Sequence, residues 1–160
     1  MKNLLLLLLF TNITVAQNAS KAVANCVVAS ADNSNMKPMI STQKNVLGTE
    51  LTLASKNPLT GYFRTGFCET DTSDRGVHVV AAVVTDAFLK YSLSKGNDLI
   101  SPYPASGFPG LKAGDVWCLC AMRWKEALKA GVAPPVILEA TNLKALEFVT
   151  LKELKEHEAK

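Results

Sequence analysis

Four of the six cysteines and histidines of this 160-residue chain, residue types that ligate metals or attack electrophiles, stand in an order that could bring them together: Cys68, His78, Cys118 and Cys120. Cys118-Leu119-Cys120 is the most unusual local feature. On a strand the side-chain period is two, so both thiols would point to one face as neighbours. His78 starts a strand expected to pair nearby, and Cys68 is the remaining candidate for the same spot. Three readings fit these residues. The cysteines can be small buried hydrophobes, a common fate of free thiols. Cys68 can form a disulfide with one member of the pair, which export would favour. A direct Cys118–Cys120 bond is disfavoured, because an extended spacer residue holds the two Cα atoms near the upper limit of disulfide geometry. In the third reading the four residues hold zinc or another soft metal. The chain lacks the paired C-x-x-C knuckles of a structural zinc site. A variant of that reading is a thiol-dependent enzyme in which His78 is the proton partner of Cys118 or Cys120, its thiolate stabilised by imidazolium.

Three further residues could contact a small ligand. Arg123 follows the cysteine pair and can bind an anion at the start of its helix or pair with a neighbouring acid. Asp98 and Asp115 flank a long loop, where they can serve turn chemistry or hydrogen-bond a ligand. Trp117 and Trp124 are expected in the core, and His157 in solvent on the last helix. The chain shows no Ser-His-Asp signature, H-E-x-x-H or Walker sequence.

The elements that must position these residues can be read in outline. Short strands are expected at 50–53 and 61–63, between Gly48 and the turn signals Asn57-Pro58-Leu59-Thr60-Gly61. Val77 to Val84 is a β-branched run interrupted only by His78, the pattern of a strand buried on both faces. Thr85 can cap the following helix, with Asp86 in its first turn, an apolar stripe of Phe88, Leu89, Tyr91 and Leu93, and Gly96 as its stop. Asn97 to Asp115 is dense in Pro and Gly and can hold little regular structure. Loops of this length in compact domains serve as binding or lid segments or as surface covering, and Tyr103 and Phe108 predict that this one packs down. A second buried strand is expected over 116–121. A helix follows it, with Trp124, Ala127 and Leu128 on one face and its end at Gly131. A third strand is expected over 135–140. Thr150 and Glu153 form a capping box, with Val149 stapled to Leu154, which predicts a terminal helix. The predicted fold class is α+β: a single domain with a small mixed sheet, about three packed helices and one long Pro/Gly-rich loop.

The N-terminus has a different character. Lys2, the apolar run Leu4 to Phe10 and the small residues Thr14-Val15-Ala16 read as a signal peptide over 1–16, too short an apolar run for a permanent membrane anchor. Residues 17–44, rich in Ala, Ser and Asn, read as a flexible linker, or as a second leader directing the chain to a plastid. The expected destination is therefore periplasmic or extracellular, with the plastid as alternative. Cys26 is a poor fit to a lipoprotein cleavage site, and Asn18-Ala19-Ser20 would be a glycosylation acceptor in a eukaryotic secretory pathway. The formal charge of +3 resides here. Through Lys44 there are four lysines and one acid, whereas from Asn45 onward 13 basic residues face 13 acidic ones. A neutral domain with scattered arginines lacks the electrostatic footprint of nucleic-acid binding.

Over residues 45 to about 157 the chain resembles a bacterial family known as a domain of unknown function (family 2237). The resemblance rests on ordered blocks, among them Gly76-Val77-His78, Gly96-Asn97-Asp98-Leu99, Phe108-Pro109-Gly110-Leu111-Lys112, Trp117-Cys118-Leu119-Cys120-Ala121 and Gly131-Val132-Ala133-Pro134-Pro135. It implies no activity. Relatives often carry further cysteines where this chain has Phe67 and Ala81, and an arginine where it has Val116. The missing cysteines count against a metal cage that needs every thiol, but leave a three- or four-ligand site from the residues kept. The residues together predict a ligand- or metal-binding module whose pocket lies under the 97–115 loop. The alternatives are the thiol enzyme and a non-catalytic structural or interaction domain.

Overall fold

The computed structural model describes residues 41–160. The expected leader over 1–16 and most of the 17–44 segment lie outside the described residues. The last four residues of that segment are tied to the domain: Ser41 is buried, and Gln43 Nε2 donates to the Thr70 carbonyl at 2.9 Å.

The architecture is α+β. Strand β1 (His78–Val83) pairs antiparallel with β2 (Val116–Cys120), with Ala81 opposite Cys118, Val83 opposite Val116 and His78 opposite Cys120. The register shifts between His78 and Val80, so one extra residue is accommodated at the start of β1. Such a bulge re-aims the side chains beside it. Both strands are almost wholly buried, as their apolar runs predict.

Helix α1 (Asp86–Ser94) follows β1 directly, and the Thr85 hydroxyl accepts from the Phe88 N–H at its start. Helix α2 (Ala121–Lys129) continues from β2 without a loop and seats Trp124 and Ala127 in the core. Helix α3 (Leu151–Glu156) carries the complete capping box: Thr150 Oγ1 accepts from Glu153 N–H, while the Glu153 carboxylate accepts from Thr150 N–H. Val149 and Leu154 are both buried in the main core, with Val79, Phe88 and Trp124.

Three expected strands are not formed. Residues 50–53 contribute one bridge, Lys44 to Glu50, and residues 61–63 lie in a turn. Residues 135–140 supply a single pairing residue: Val136 bridges Ala82 on one side and Glu158 on the other, after which Leu138–Ala140 winds into a 3₁₀ turn. Pro134 and Pro135 cannot donate to a ladder, which limits pairing before Val136. The apolar run that looked like a strand is instead buried by its neighbours, with Val136 and Ala140 fully inaccessible.

The 97–115 loop is pinned at a few points but is mostly exposed, against the expectation that it packs down: Leu111 alone is buried, and 98, 100–107, 109 and 112–114 are exposed. Leu111 N–H donates to the Leu99 carbonyl at 2.8 Å, and Phe108 meets Trp117 edge-on at 5.3 Å. A bridge from Tyr103 to Phe108 closes off the 3₁₀ turn Pro104–Ser106. Tyr103 itself is 63% exposed, against the expectation that it anchors the loop. Gly110 is required here: its φ is +77°, and a Cβ would lie 2.2 Å from the Ile100 carbonyl oxygen.

Candidate functional site

The four expected metal ligands do not assemble into a metal centre. Cys68 and Cys118 are joined in a disulfide across 50 residues of sequence, within a small buried cluster with Ala81 and Ala140. A disulfide sulfur is not a thiolate, so two of the four ligands are lost. Among the described residues no three His, Cys, Asp or Glu side chains gather closely enough to hold a metal ion. The disulfide also removes Cys118 as a nucleophile. Cys120 keeps a free, half-buried thiol at the N-terminus of α2, opposite His78 on the paired strands.

The disulfide is held by polar contacts that release no buried group unpaired. Cys118 N–H donates to the buried Thr60 hydroxyl at 2.8 Å, and Asn142 Nδ2 donates to the Cys68 carbonyl at 3.1 Å. The first bond ties the 60–68 loop to β2 and the second ties it to the segment at Asn142, and that loop forms one wall of a cleft.

The cleft has a volume of about 500 Å³ and lies between the 61–64 turn and the 97–115 loop. Trp117 and Cys118 of β2 form its floor, Tyr62, Arg64 and His78 one side, and Asp98, Leu99, Tyr103 and Phe108 the other. The Arg64 guanidinium lies 4.7 Å from the centre of the Trp117 ring, in cation–π contact. Arg64 adopts φ +55°, a left-handed conformation rare for residues other than glycine. Among the described residues no carboxylate forms an ion pair with it.

His78 is held on several sides. Its Nδ1 lies 2.7 Å from Asp74 Oδ1, and its backbone N–H donates to Asp74 Oδ2 at 2.7 Å. The Thr70 hydroxyl also donates to Oδ2, at 3.1 Å. Burial pushes the Asp74 carboxyl upward, but the His78 N–H, the His78 ring and the Thr70 hydroxyl outweigh it. The net effect holds the group below its ordinary value. The Asp74 side chain is fully buried, whereas that of His78 is 39% exposed. Gly76 sits against the imidazole so closely that a Cβ there would fall 2.3 Å from Cε1. The Tyr62 ring lies nearly parallel to it at 6.1 Å, fixed by its hydroxyl donating to the Ser73 carbonyl.

The other expected ligand residues scatter. Asp98 lines the cleft, and its Oδ1 accepts the Ile100 and Ser101 N–H groups. The Ser101 N–H, with the Ser101 hydroxyl and Ile100 N–H after it, keeps its carboxyl below the ordinary value. Asp115 accepts from the Lys112 N–H, a turn role, on the far side of the loop. Arg123 pairs with Glu126 at 3.0 Å on α2, outside the cleft. Trp124 is core, as expected, and its Nε1 donates to the Pro134 carbonyl. Trp117 is buried in the core and also floors the cleft. His157 is half-buried, edge-on to Trp124 at 5.5 Å, rather than free in solvent.

The family model described as an uncharacterized protein conserved in bacteria, DUF2237, matches residues 44–158. The chain belongs to this family. No curated protein matches the chain. The membership extends over every residue of the cleft, so the site is part of the DUF2237 domain and not an appendage to it. Asp74, Arg64 and Tyr62 were not singled out from the sequence. The available signal was the D-x-G-x-H order of 74–78, in which a glycine separates an acid from an imidazole four residues later.

Proposed function

We propose that this DUF2237 domain is a ligand-binding module whose cleft takes a small molecule with a planar body and an anionic group. The observation that carries this reading is the Arg64 guanidinium poised over Trp117 in a cleft that also presents the His78 ring. A planar ligand would lie against Tyr103 and Phe108, and its anion would meet the planar donor fork of Arg64, which covers Trp117. Asp98 is ionised, its carboxyl held below the ordinary value by the Ser101 and Ile100 N–H groups, but the residue is exposed and solvent screens its repulsion of an anion. The volume of about 500 Å³ suits a metabolite-sized molecule. No helix among the described residues is long and apolar enough to cross a membrane. Export to an oxidising compartment belongs to the same reading, and the Cys68–Cys118 disulfide supports it.

The test is a titration with 4-hydroxybenzoate, followed by NMR at the Trp117 indole N–H and the His78 ring. The expected result is saturable movement of both signals, weakened about tenfold or more in Arg64→Ala, as loss of a charge-assisted contact predicts. Signals that stay still at millimolar ligand, or that saturate equally in Arg64→Ala, would remove the binding assignment.

A further inference from the structure

We propose that His78 is the general base of a hydrolytic site in this cleft, with Asp74 as its positioning residue, acting on aryl esters that carry a carboxylate. The inference rests on the binding reading above and adds a reaction to it.

The geometry assigns the two ring nitrogens different roles. An ionised carboxylate only accepts hydrogen bonds, so the contact to Asp74 Oδ1 places the proton on Nδ1 and leaves Nε2 with a free lone pair. Nδ1 is turned to a buried partner while the ring itself lines the cleft. Gly76 against Cε1 and Tyr62 alongside restrict the ring's rotation. Val77, immediately before it, holds φ +49°, an outlier for a β-branched residue. Strain of this kind costs about 1–3 kcal/mol and persists where the surroundings impose it, often at reactive sites.

A purely structural role for Asp74 explains less. The carboxylate would fasten the 70–78 loop through the Thr70 hydroxyl and the His78 backbone N–H alone, and any residue at position 78 would supply that N–H. The second oxygen is engaged only because an imidazole is present, and the glycine at 76 is needed only because the ring occupies that space. An oriented imidazole with a buried acid behind it and a solvent-open cleft before it is equipped to take a proton from water.

The step balances with water as the co-reactant. His78 Nε2 takes a proton from water as the water oxygen bonds to the ester carbonyl carbon. The carbon–oxygen bond to the aryl group then breaks, and the proton on Nε2 passes to the departing phenolate. For 4-acetoxybenzoate the products are 4-hydroxybenzoate and acetic acid, which ionises to acetate and releases one proton to solvent, with no change in oxidation state. Arg64 holds the ring carboxylate and takes no part in the proton transfer.

The experiment follows release of 4-hydroxybenzoate from 4-acetoxybenzoate by the full chain, beside binding of 4-hydroxybenzoate measured by NMR. The expected results are turnover at least a thousandfold above buffer, lowered about a hundredfold in His78→Gln, with binding retained. Asp74→Asn should lower kcat about tenfold with KM within about twofold, a split that general loosening of the loop would not produce. Cys120→Ser should hydrolyse like the wild type. Ethoxyformylation of His78 should give the same loss without a substitution, which guards against misfolding of the variant. Binding without turnover, full activity in His78→Gln, or loss of activity in Cys120→Ser would each overturn the catalytic role while leaving the cleft a binding site. Neither binding nor turnover would sink both.

Discussion

Asp74 Oδ1 lies 2.7 Å from His78 Nδ1, with the carboxylate fully buried and the imidazole 39% exposed at the edge of a cleft. One oxygen of the acid fixes the ring, and the other takes both the Thr70 hydroxyl and the His78 N–H. A single buried carboxylate therefore sets the loop before β1, the start of β1, and the orientation of the ring that faces solvent.

This arrangement makes the domain sensitive to acid. Asp74 titrates below its ordinary value when folded, so it favours the folded state above about pH 4. That stabilisation should disappear as pH falls from there through the lowered folded value. In Asp74→Asn the corresponding slope should be flatter, and stability at neutral pH should drop by about 1–3 kcal/mol, as expected when a buried hydrogen-bonded charge is removed. Urea denaturation of both proteins between pH 2.5 and 7 checks this, and parallel pH profiles would contradict it.

Gly76→Ala tests how closely the ring is held. The added methyl would fall 2.3 Å from Cε1, so either the imidazole leaves Asp74 or the chain at 76–78 moves. The ring is expected to yield first, because side-chain torsions shift at less cost than the backbone. A stability loss of about 1–2 kcal/mol is expected, together with displacement of the His78 ring resonances. Unchanged ring resonances in a stable Gly76→Ala protein would mean that the cleft is looser than its contacts indicate.

The disulfide gives a third expectation. Peptide mapping under non-reducing conditions should recover Cys68 linked to Cys118, with Cys120 alkylated without reduction. Closing 50 residues of chain restricts the unfolded state, so the double substitution Cys68→Ala, Cys118→Ala should cost about 2–4 kcal/mol. The loss should appear as a lower denaturation midpoint. A linkage of Cys68 to Cys120 would contradict the assignment.

The elements with strong local signals were legible in the sequence: β1 and β2 by their apolar runs, α1 by Thr85, and α3 by the Thr150–Glu153 box. The 135–140 run misled because burial was read as pairing, whereas only Val136 bridges its neighbours and two prolines precede it. At the site, the neighbourhood was legible and its chemistry was not. Cys68 and Cys118 meet, and His78 and Cys118 line one cleft, whereas Cys68 and Cys120, expected beside them, do not line it. Choosing among thiol, disulfide and metal depends on sulfur-to-sulfur distance, which no local pattern encodes. Asp74 was hidden for another reason: in a loop, an acid four residues before a histidine faces it only if the turn between them closes. Here the Val77 N–H bonds back to the Asp74 carbonyl at 3.1 Å to do so.

Asn45 supplies the last prediction. It is completely buried near the start of the described chain, yet every polar atom of its side chain is used. Nδ2 lies within hydrogen-bonding distance of Thr49 Oγ1, the Glu50 carbonyl and the Glu139 carbonyl, and Oδ1 accepts from the Leu47 and Thr49 N–H groups. It thereby closes the 45–50 turn and fastens it to the segment leading into Thr141, which accepts from Ala81 of β1. Asn45→Ala would leave several of these groups buried without partners, and each such group costs about 1–3 kcal/mol unless water reaches it. Asn45→Asp keeps the acceptor but places a charge against two carbonyl oxygens. Both substitutions should destabilise the domain by about 3 kcal/mol, well above the few tenths typical of a surface change. Chemical denaturation measures the loss. A cost under about 1 kcal/mol for Asn45→Ala would mean that the 45–50 turn holds its shape without the side chain.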